Sequence, residues 1–217
     1  MAASKTLKNS FFYMLPVIVG NLIPIITLPL FTRQLSTDEY GIFSLSQVYA
    51  IFINGIANFG LIAGFERNYF ESNEIVKRTA LLYSILSFVV IVSLLFTSIT
   101  ALVEGFLLKN LFHIRGYENL LILAYGATAI SGFKVYFLSY FKNAEEAKSY
   151  VFYSIDETVL TTVFSLLFVF IFRLQVYGLI LGQLVSATFV LTLLLIRFTK
   201  KHSITFDFNA TFKYELL

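Results

Sequence analysis

The sequence predicts an all-α polytopic membrane protein with six transmembrane helices and both termini in the cytoplasm. Three observations support this: an apolar composition, charge-free runs of spanning length, and an uneven distribution of basic residues between loops. Of the 217 residues, 58% are hydrophobic and only 13% charged, and the mean hydropathy is +0.79. A soluble domain carries about 25% charged residues, so this chain cannot cover a water-facing surface. Six segments of about 20 residues, the length a bilayer core requires, use nearly all of residues 1–217. They form a single helical unit and leave no soluble domain of useful size.

An ionised side chain at the centre of a spanning helix costs about 2.5 to 3.5 kcal/mol on the insertion scale, so runs without charge mark the spans. Four such runs cover residues 9–32, 40–65, 79–103 and 174–196. Two more, 119–141 and 149–172, are interrupted by Lys134 and by Asp156 with Glu157. The first of these contains ten Leu, Ile, Val or Phe residues, enough to outweigh one lysine. Lys5 and Lys8 precede the first span as in a signal peptide, but that apolar stretch is too long and lacks a small-x-small cleavage site, so it reads as an uncleaved helix.

Loop by loop, Lys and Arg divide eleven to four, with Lys134 inside a span. The richer set includes Lys5, Lys8, Arg67, Lys77, Lys142, Lys148, Arg197 and Lys213. The excess places both termini and residues 197–217, read as a tail, in the cytoplasm. Tyr13, Tyr40, Tyr69, Tyr117, Tyr140, Tyr150 and Tyr177 fall near predicted span ends, where amphipathic rings favour the headgroup level.

The spans carry polar features of their own. All three prolines, Pro16, Pro24 and Pro29, lie in the first. Each removes a backbone hydrogen bond that lipid cannot replace, which predicts a bend serving either packing or function. In the second span Ser44, Gln47, Asn54 and Asn58 fall on one face, so they either bridge helices or line an aqueous path. Gly60 with Gly64, and Gly178 with Gly182 and Ser186, have small-xxx-small spacing and read as close helix contacts. Lys134 and Glu157 each sit about 11 to 12 Å below the cytoplasmic boundary at 1.5 Å per residue. A hairpin of the fourth and fifth spans therefore brings Lys134 level with Glu157 and Asp156. Pairing would lower the cost of burying these charges, and the excess acid becomes a candidate for binding a proton or another cation.

Other chemistry is excluded. The chain has no cysteine and two isolated histidines, His113 and His202, so disulfides, thiolate chemistry and a metal centre find no ligands. No phosphate-binding loop, dinucleotide fingerprint or metalloprotease motif occurs. The basic residues lie between apolar blocks and form no nucleic-acid patch. Asp38-Glu39 and Glu145-Glu146 read as solvated loop acids, and the sequon Asn209-Ala210-Thr211 falls in the predicted cytoplasmic tail.

The stretch from Phe31 to Phe70 contains Thr32-Arg33-Gln34-Leu35, then Glu39-Tyr40-Gly41-Ile42-Phe43, then Phe59-Gly60-Leu61 and Arg67. It resembles the start of the polysaccharide or O-antigen flippases, the Wzx-type branch of the superfamily that also holds the multidrug MATE exporters. The resemblance implies a non-enzymatic transporter that moves a polyprenyl-pyrophosphate-linked oligosaccharide, such as an O-antigen, capsule or exopolysaccharide repeat unit, across a bacterial inner membrane. It further implies alternating access between two six-helix lobes around a central cationic cavity, and no cofactor. The partners it implies are membrane lipid and the glycan biosynthesis machinery, with possible coupling to a proton or sodium gradient.

Family members have about twice as many spans, and Phe206 to Leu217 resembles the lead-in to their seventh helix. The chain is thus expected to form one lobe, the N-terminal half of a flippase, or a half-size protein that pairs with a second copy. Arg33 and Arg67 match family arginines and are candidates for holding pyrophosphate, with headgroup anchoring as the other reading. Gln47, Asn54 and Asn58 complete the candidate substrate-binding set. A MATE-like drug or cation antiporter is one alternative. A membrane glycan polymerase or ligase is another, but such enzymes place their chemistry in a large outer loop, whereas Glu104 to Glu118 carries no acid-base constellation.

Overall fold

The computed structural model describes residues 2–204, with side chains from Phe11 onward. The side chains of Lys5 and Lys8, the whole of Lys213, the Asn209–Thr211 sequon and the Phe206–Leu217 segment lie outside the described residues.

Seven α-helices occur among the described residues: α1 (Ala2–Gln34), α2 (Thr37–Asn58), α3 (Leu61–Asn68), α4 (Ile75–Phe106), α5 (Leu120–Asn143), α6 (Ala147–Leu166) and α7 (Gln175–Lys201). All but the short α3 are long and apolar enough to cross a membrane. The protein is therefore an all-α, multi-pass membrane protein. Both α4 and α6 end in a five-residue π-helical turn, Leu107–Leu111 and Leu167–Ile171. These turns are closed by Phe112 N–H donating to the Leu107 carbonyl at 2.9 Å and Phe172 N–H to the Leu167 carbonyl at 3.2 Å.

Several predicted boundaries move, each for a local reason. The run 40–65 is not one helix. Phe59 and Gly60 take left-handed φ values of 47° and 72°, which end α2 and turn the chain into α3. A Cβ on Gly60 or Gly64 would meet nothing within 4 Å, so this pair makes no close helix contact. The run 79–103 extends to Phe106 because Glu104, expected in the outer loop, is buried and accepts the Leu121 N–H at 2.7 Å. Part of the expected tail, Arg197 to Lys201, continues α7. The supposed loop acids do structural work as well. Ser36 and Glu39 form a reciprocal capping box at the start of α2, with bonds of 2.8 and 3.2 Å. Glu146 precedes α6 and pairs with Lys201 at 2.6 Å. α1 runs as one continuous helix through all three prolines.

The expected glycine contact of the last span is present. A Cβ on Gly182 would lie 2.6 Å from the Ser165 backbone nitrogen, and one on Gly178 would lie 3.0 Å from the Val169 nitrogen. Only glycine lets α7 approach α6 this closely. Beside them Thr161 and Ser186 share a hydroxyl hydrogen bond at 2.5 Å.

The helices alternate in direction, so one end of the bundle gathers α3, the α5–α6 turn and the end of α7. This is the basic end, which the charge count assigns to the cytoplasm. It is closed by an aromatic core that includes Phe65, Tyr69, Phe137, Tyr140, Tyr153 and Phe198. Tyr69 and Tyr140 are buried there instead of facing headgroups, and the Arg78 guanidinium lies 4.5 Å from the Tyr69 ring centroid. A second core nearer the opposite end contains Leu120, Tyr125, Val176 and Ile180. The outer surfaces of α1, α2 and α4 expose large apolar side chains such as Ile25, Phe52 and Leu94, as lipid contact demands.

Candidate functional site

Within the bundle lies a cavity of about 730 Å³, lined by side chains from α1, α2, α5, α6 and α7. α1 packs along α6 and α2 along α5, while α1 and α2 flank the cavity without packing along each other. Polar groups reach it because two helices present hydroxyl faces at helical spacing. On α6, Thr158, Thr161, Thr162 and Ser165 follow one stripe, and on α5, Thr128 and Ser131 do the same.

Its charged groups are Lys134 of α5 and Glu157 of α6, which form an ion pair with both side chains almost fully buried. Ser131 Oγ donates to the other Glu157 carboxylate oxygen at 2.6 Å. The pairing resolves the choice left open by the sequence in favour of Glu157. The cavity of this bundle is thereby left without net charge, since the one cation lining it is neutralised by the one anion. Above the pair, Gln47 Nε2 of α2 donates to Gln183 Oε1 of α7 at 2.9 Å. Asn54 lines the wall beside Gly132, whose missing side chain makes room for it: a Cβ there would lie 3.3 Å from Asn54 Nδ2. Pro24 is the one proline of α1 on the lining. Having no N–H, it leaves the Gly20 carbonyl without its usual helical donor.

Such a cavity can hold a neutral, hydroxyl-bearing solute. Amide and hydroxyl side chains both donate and accept hydrogen bonds. Among the described residues no group of three or more His, Cys, Asp or Glu could hold a metal ion.

Sequence comparison supplies the context. Residues 6–214 match the family described as polysaccharide biosynthesis protein. The chain belongs to this family. No curated protein and no solved structure gives a match.

In this member of the family the remaining candidate residues stand apart from the cavity. Arg33 is exposed at the end of α1, Arg67 is exposed on α3 at the basic end, and neither lines the cavity. The structure therefore does not bring the two arginines together. Asn58 is also outside it, occupied by Tyr136, whose hydroxyl donates to Asn58 Oδ1 at 2.7 Å, and by the Asn54 carbonyl at 2.9 Å. Ser44 bonds to the Tyr40 carbonyl of its own helix and does not line the cavity, so the predicted stripe of α2 divides, with Gln47 and Asn54 on the lining. Asp156 turns to another side of α6 and lines a separate cavity with Phe12 and Lys148. Pro16 and Pro29 are likewise off the lining.

Gln183 and the hydroxyl stripe of α6 were not among the residues predicted from sequence, although Thr158, Thr161, Thr162 and Ser165 stand at helical spacing. Nor was Glu66, which clamps α3 to α5 by accepting from Ser139 at 2.7 Å and pairing with Lys142 at 2.5 Å. The hydrogen bond from the Lys142 ammonium, aided by that from Ser139, holds the Glu66 carboxyl below the usual glutamate range. No apolar pattern signals this contact, because it joins residues far apart in the chain.

Proposed function

We propose that this chain forms one lobe of a flippase that moves a polyprenyl-pyrophosphate-linked oligosaccharide across a bacterial inner membrane, without covalent chemistry. The observation that carries the reading is a neutral cavity in which hydroxyls and amides are set among apolar side chains such as Phe31, Phe43 and Leu179, inside a membrane bundle, in a member of the polysaccharide biosynthesis protein family. Sugars present dense hydroxyl groups, and a bilayer offers them no partners. Thr158, Thr161, Gln47, Asn54 and Gln183 supply both donors and acceptors in their place. A volume of about 730 Å³ falls in the range of small-molecule sites and suits a few sugar rings, leaving the polyprenyl chain in lipid.

Because α1 and α2 do not pack along each other, the cavity is suited to completion by a second lobe or a second copy. The pyrophosphate is expected to stay near the headgroups on either side. Arg67 and Arg33, exposed at the two ends of the bundle, are placed to meet it before and after transfer. Exchange of Lys134 for a proton or sodium ion at Glu157 is the corresponding route for gradient coupling, with Asp156 a second acid on the same helix.

The reading is tested by expressing the full chain, with and without a companion lobe, in a strain lacking its own flippase. Surface polysaccharide restored by either form supports it. Drug efflux without surface glycan would instead favour the antiporter reading, and glycan chain extension without transfer would favour a polymerase.

A further inference from the structure

A second cavity, of about 420 Å³, lies between α6 and α7 at the basic end and shares no lining residue with the central one. Its wall carries Lys148, Arg197 and Lys201 against a single carboxylate, Glu146. That carboxylate is already taken by Lys201 at 2.6 Å. Lys148 and Arg197 have no ion-pair partner among the described residues. The Arg197 guanidinium lies 5.5 Å from the Phe152 ring centroid, held on an aromatic floor. The start of α6, which has no side-chain cap, adds partial positive charge at the same place.

Lys148 and Phe152 also line an adjoining cavity of about 390 Å³ on the α1 side of α6, walled by Phe12 of α1 and by Val151 and Ile155. The pair of cavities thus offers cations at the headgroup level and a mainly apolar track running into the membrane. Asp156 stands at the far end of that track, two helical turns from Lys148, and its carboxylate lies within electrostatic reach of Arg197.

We propose that this α6–α7 cleft is a binding site for an anionic phospholipid of the leaflet at the basic end, with its phosphate on Lys148 and Arg197 and an acyl chain along Phe152 and Ile155. Basic pockets between spanning helices take anionic headgroups in this way. A resident bilayer lipid fits better than the cargo because the cleft lies on a different side of α6 from Thr158, Thr161 and Ser165, away from the central cavity. The site does not depend on the flippase reading, and its test measures no transport.

The purified full chain in detergent is incubated with phosphatidylglycerol, phosphatidylcholine, a polyprenyl phosphate or inorganic phosphate, and the retained molecules are counted by native mass spectrometry. Phosphatidylglycerol is expected to be retained at least about tenfold over phosphatidylcholine. The double variant Lys148→Gln/Arg197→Gln is expected to lower that retention about tenfold or more, with an unchanged size-exclusion profile. Lys77→Ala, which removes an exposed cation outside the cleft, is expected to leave it intact. If the double variant does not stay monodisperse, competition on the unaltered chain still decides. Equal retention of the two phospholipids, or equal loss with Lys77→Ala, overturns the site. Displacement by inorganic phosphate alone makes it a free-phosphate site, and preferential displacement by polyprenyl phosphate makes it a cargo site; either outcome overturns the resident-lipid assignment.

Discussion

Lys134 on α5 and Glu157 on α6 form an ion pair inside the membrane-spanning bundle, and Ser131 fixes the second oxygen of the carboxylate. Removing one partner leaves a buried charge without compensation, which costs about 3 to 5 kcal/mol. Lys134→Met and Glu157→Leu alone are therefore each expected to lower thermal stability markedly in detergent. The double variant Lys134→Met/Glu157→Leu recovers most of it. If the pair serves ion coupling as well, the recovered double variant remains inactive in transport. Full activity in that variant would reduce the pair to a register device.

The α6–α7 contact gives a sharper stability test, because two glycine pairs with the same spacing differ in structure. Gly182→Ala forces a methyl into the Ser165 backbone and is expected to cost about 1 to 3 kcal/mol or more. Gly64→Ala meets open space and is expected to change stability by less than about 0.5 kcal/mol. Thermal melts of the two variants check the contrast.

Glu104 is buried and accepts the Leu121 N–H at the opening of α5, where Asn119 provides no side-chain cap. Glu104→Ala leaves that donor unsatisfied and is expected to cost about 1 to 3 kcal/mol. Glu104→Gln keeps an acceptor and is expected to lose less. Hydrogen exchange at Leu121 reports the local effect directly.

His202 follows α7 and packs on Phe198, with ring centroids 4.7 Å apart. Burial, and next the Lys201 charge, push its pKa below the ordinary histidine value. A base whose pKa is lowered on folding adds stability that is complete above its unfolded pKa, near about 6.5, and is lost as pH falls through the folded value. Melting temperature is expected to drop on acidification below about pH 6.5, and His202→Phe is expected to flatten that drop. Glu66, already held below the glutamate range, keeps its charge through this window and adds no slope.

The helices were legible because lipid allows few alternatives: each charge-free run of spanning length contains a spanning helix, although the run 40–65 also takes in the break and the start of α3. The matched depth of Lys134 and Glu157 in adjacent spans was likewise legible, and Lys134 meets an acid on the next helix. What the sequence hid were long-range satisfactions that let a charge sit where a charge-counting rule forbids it. Glu104 stays in α4 because Leu121, 17 residues away, answers it. Gly60 is the residue type that ends helices in the left-handed region, but in a run without charge it read as a packing glycine and the break at Phe59 and Gly60 was not anticipated. Among the candidate site residues, helical spacing placed Gln47 and Asn54 on the cavity face but could not reveal that Tyr136 occupies Asn58. The family motif drew attention to Arg33 and Arg67, which the fold sends to opposite ends.

The central claim is that the neutral cavity passes the glycan portion of a lipid-linked oligosaccharide. Its most direct test is transfer of such a lipid in proteoliposomes holding the assembled protein, comparing Gln47→Leu/Asn54→Leu with Ser44→Ala, which alters an exposed hydroxyl bonded within its own helix. The account predicts transfer reduced at least about tenfold in the cavity variant and unchanged in Ser44→Ala. Equal transfer in both, with the cavity variant folded and inserted, would contradict it.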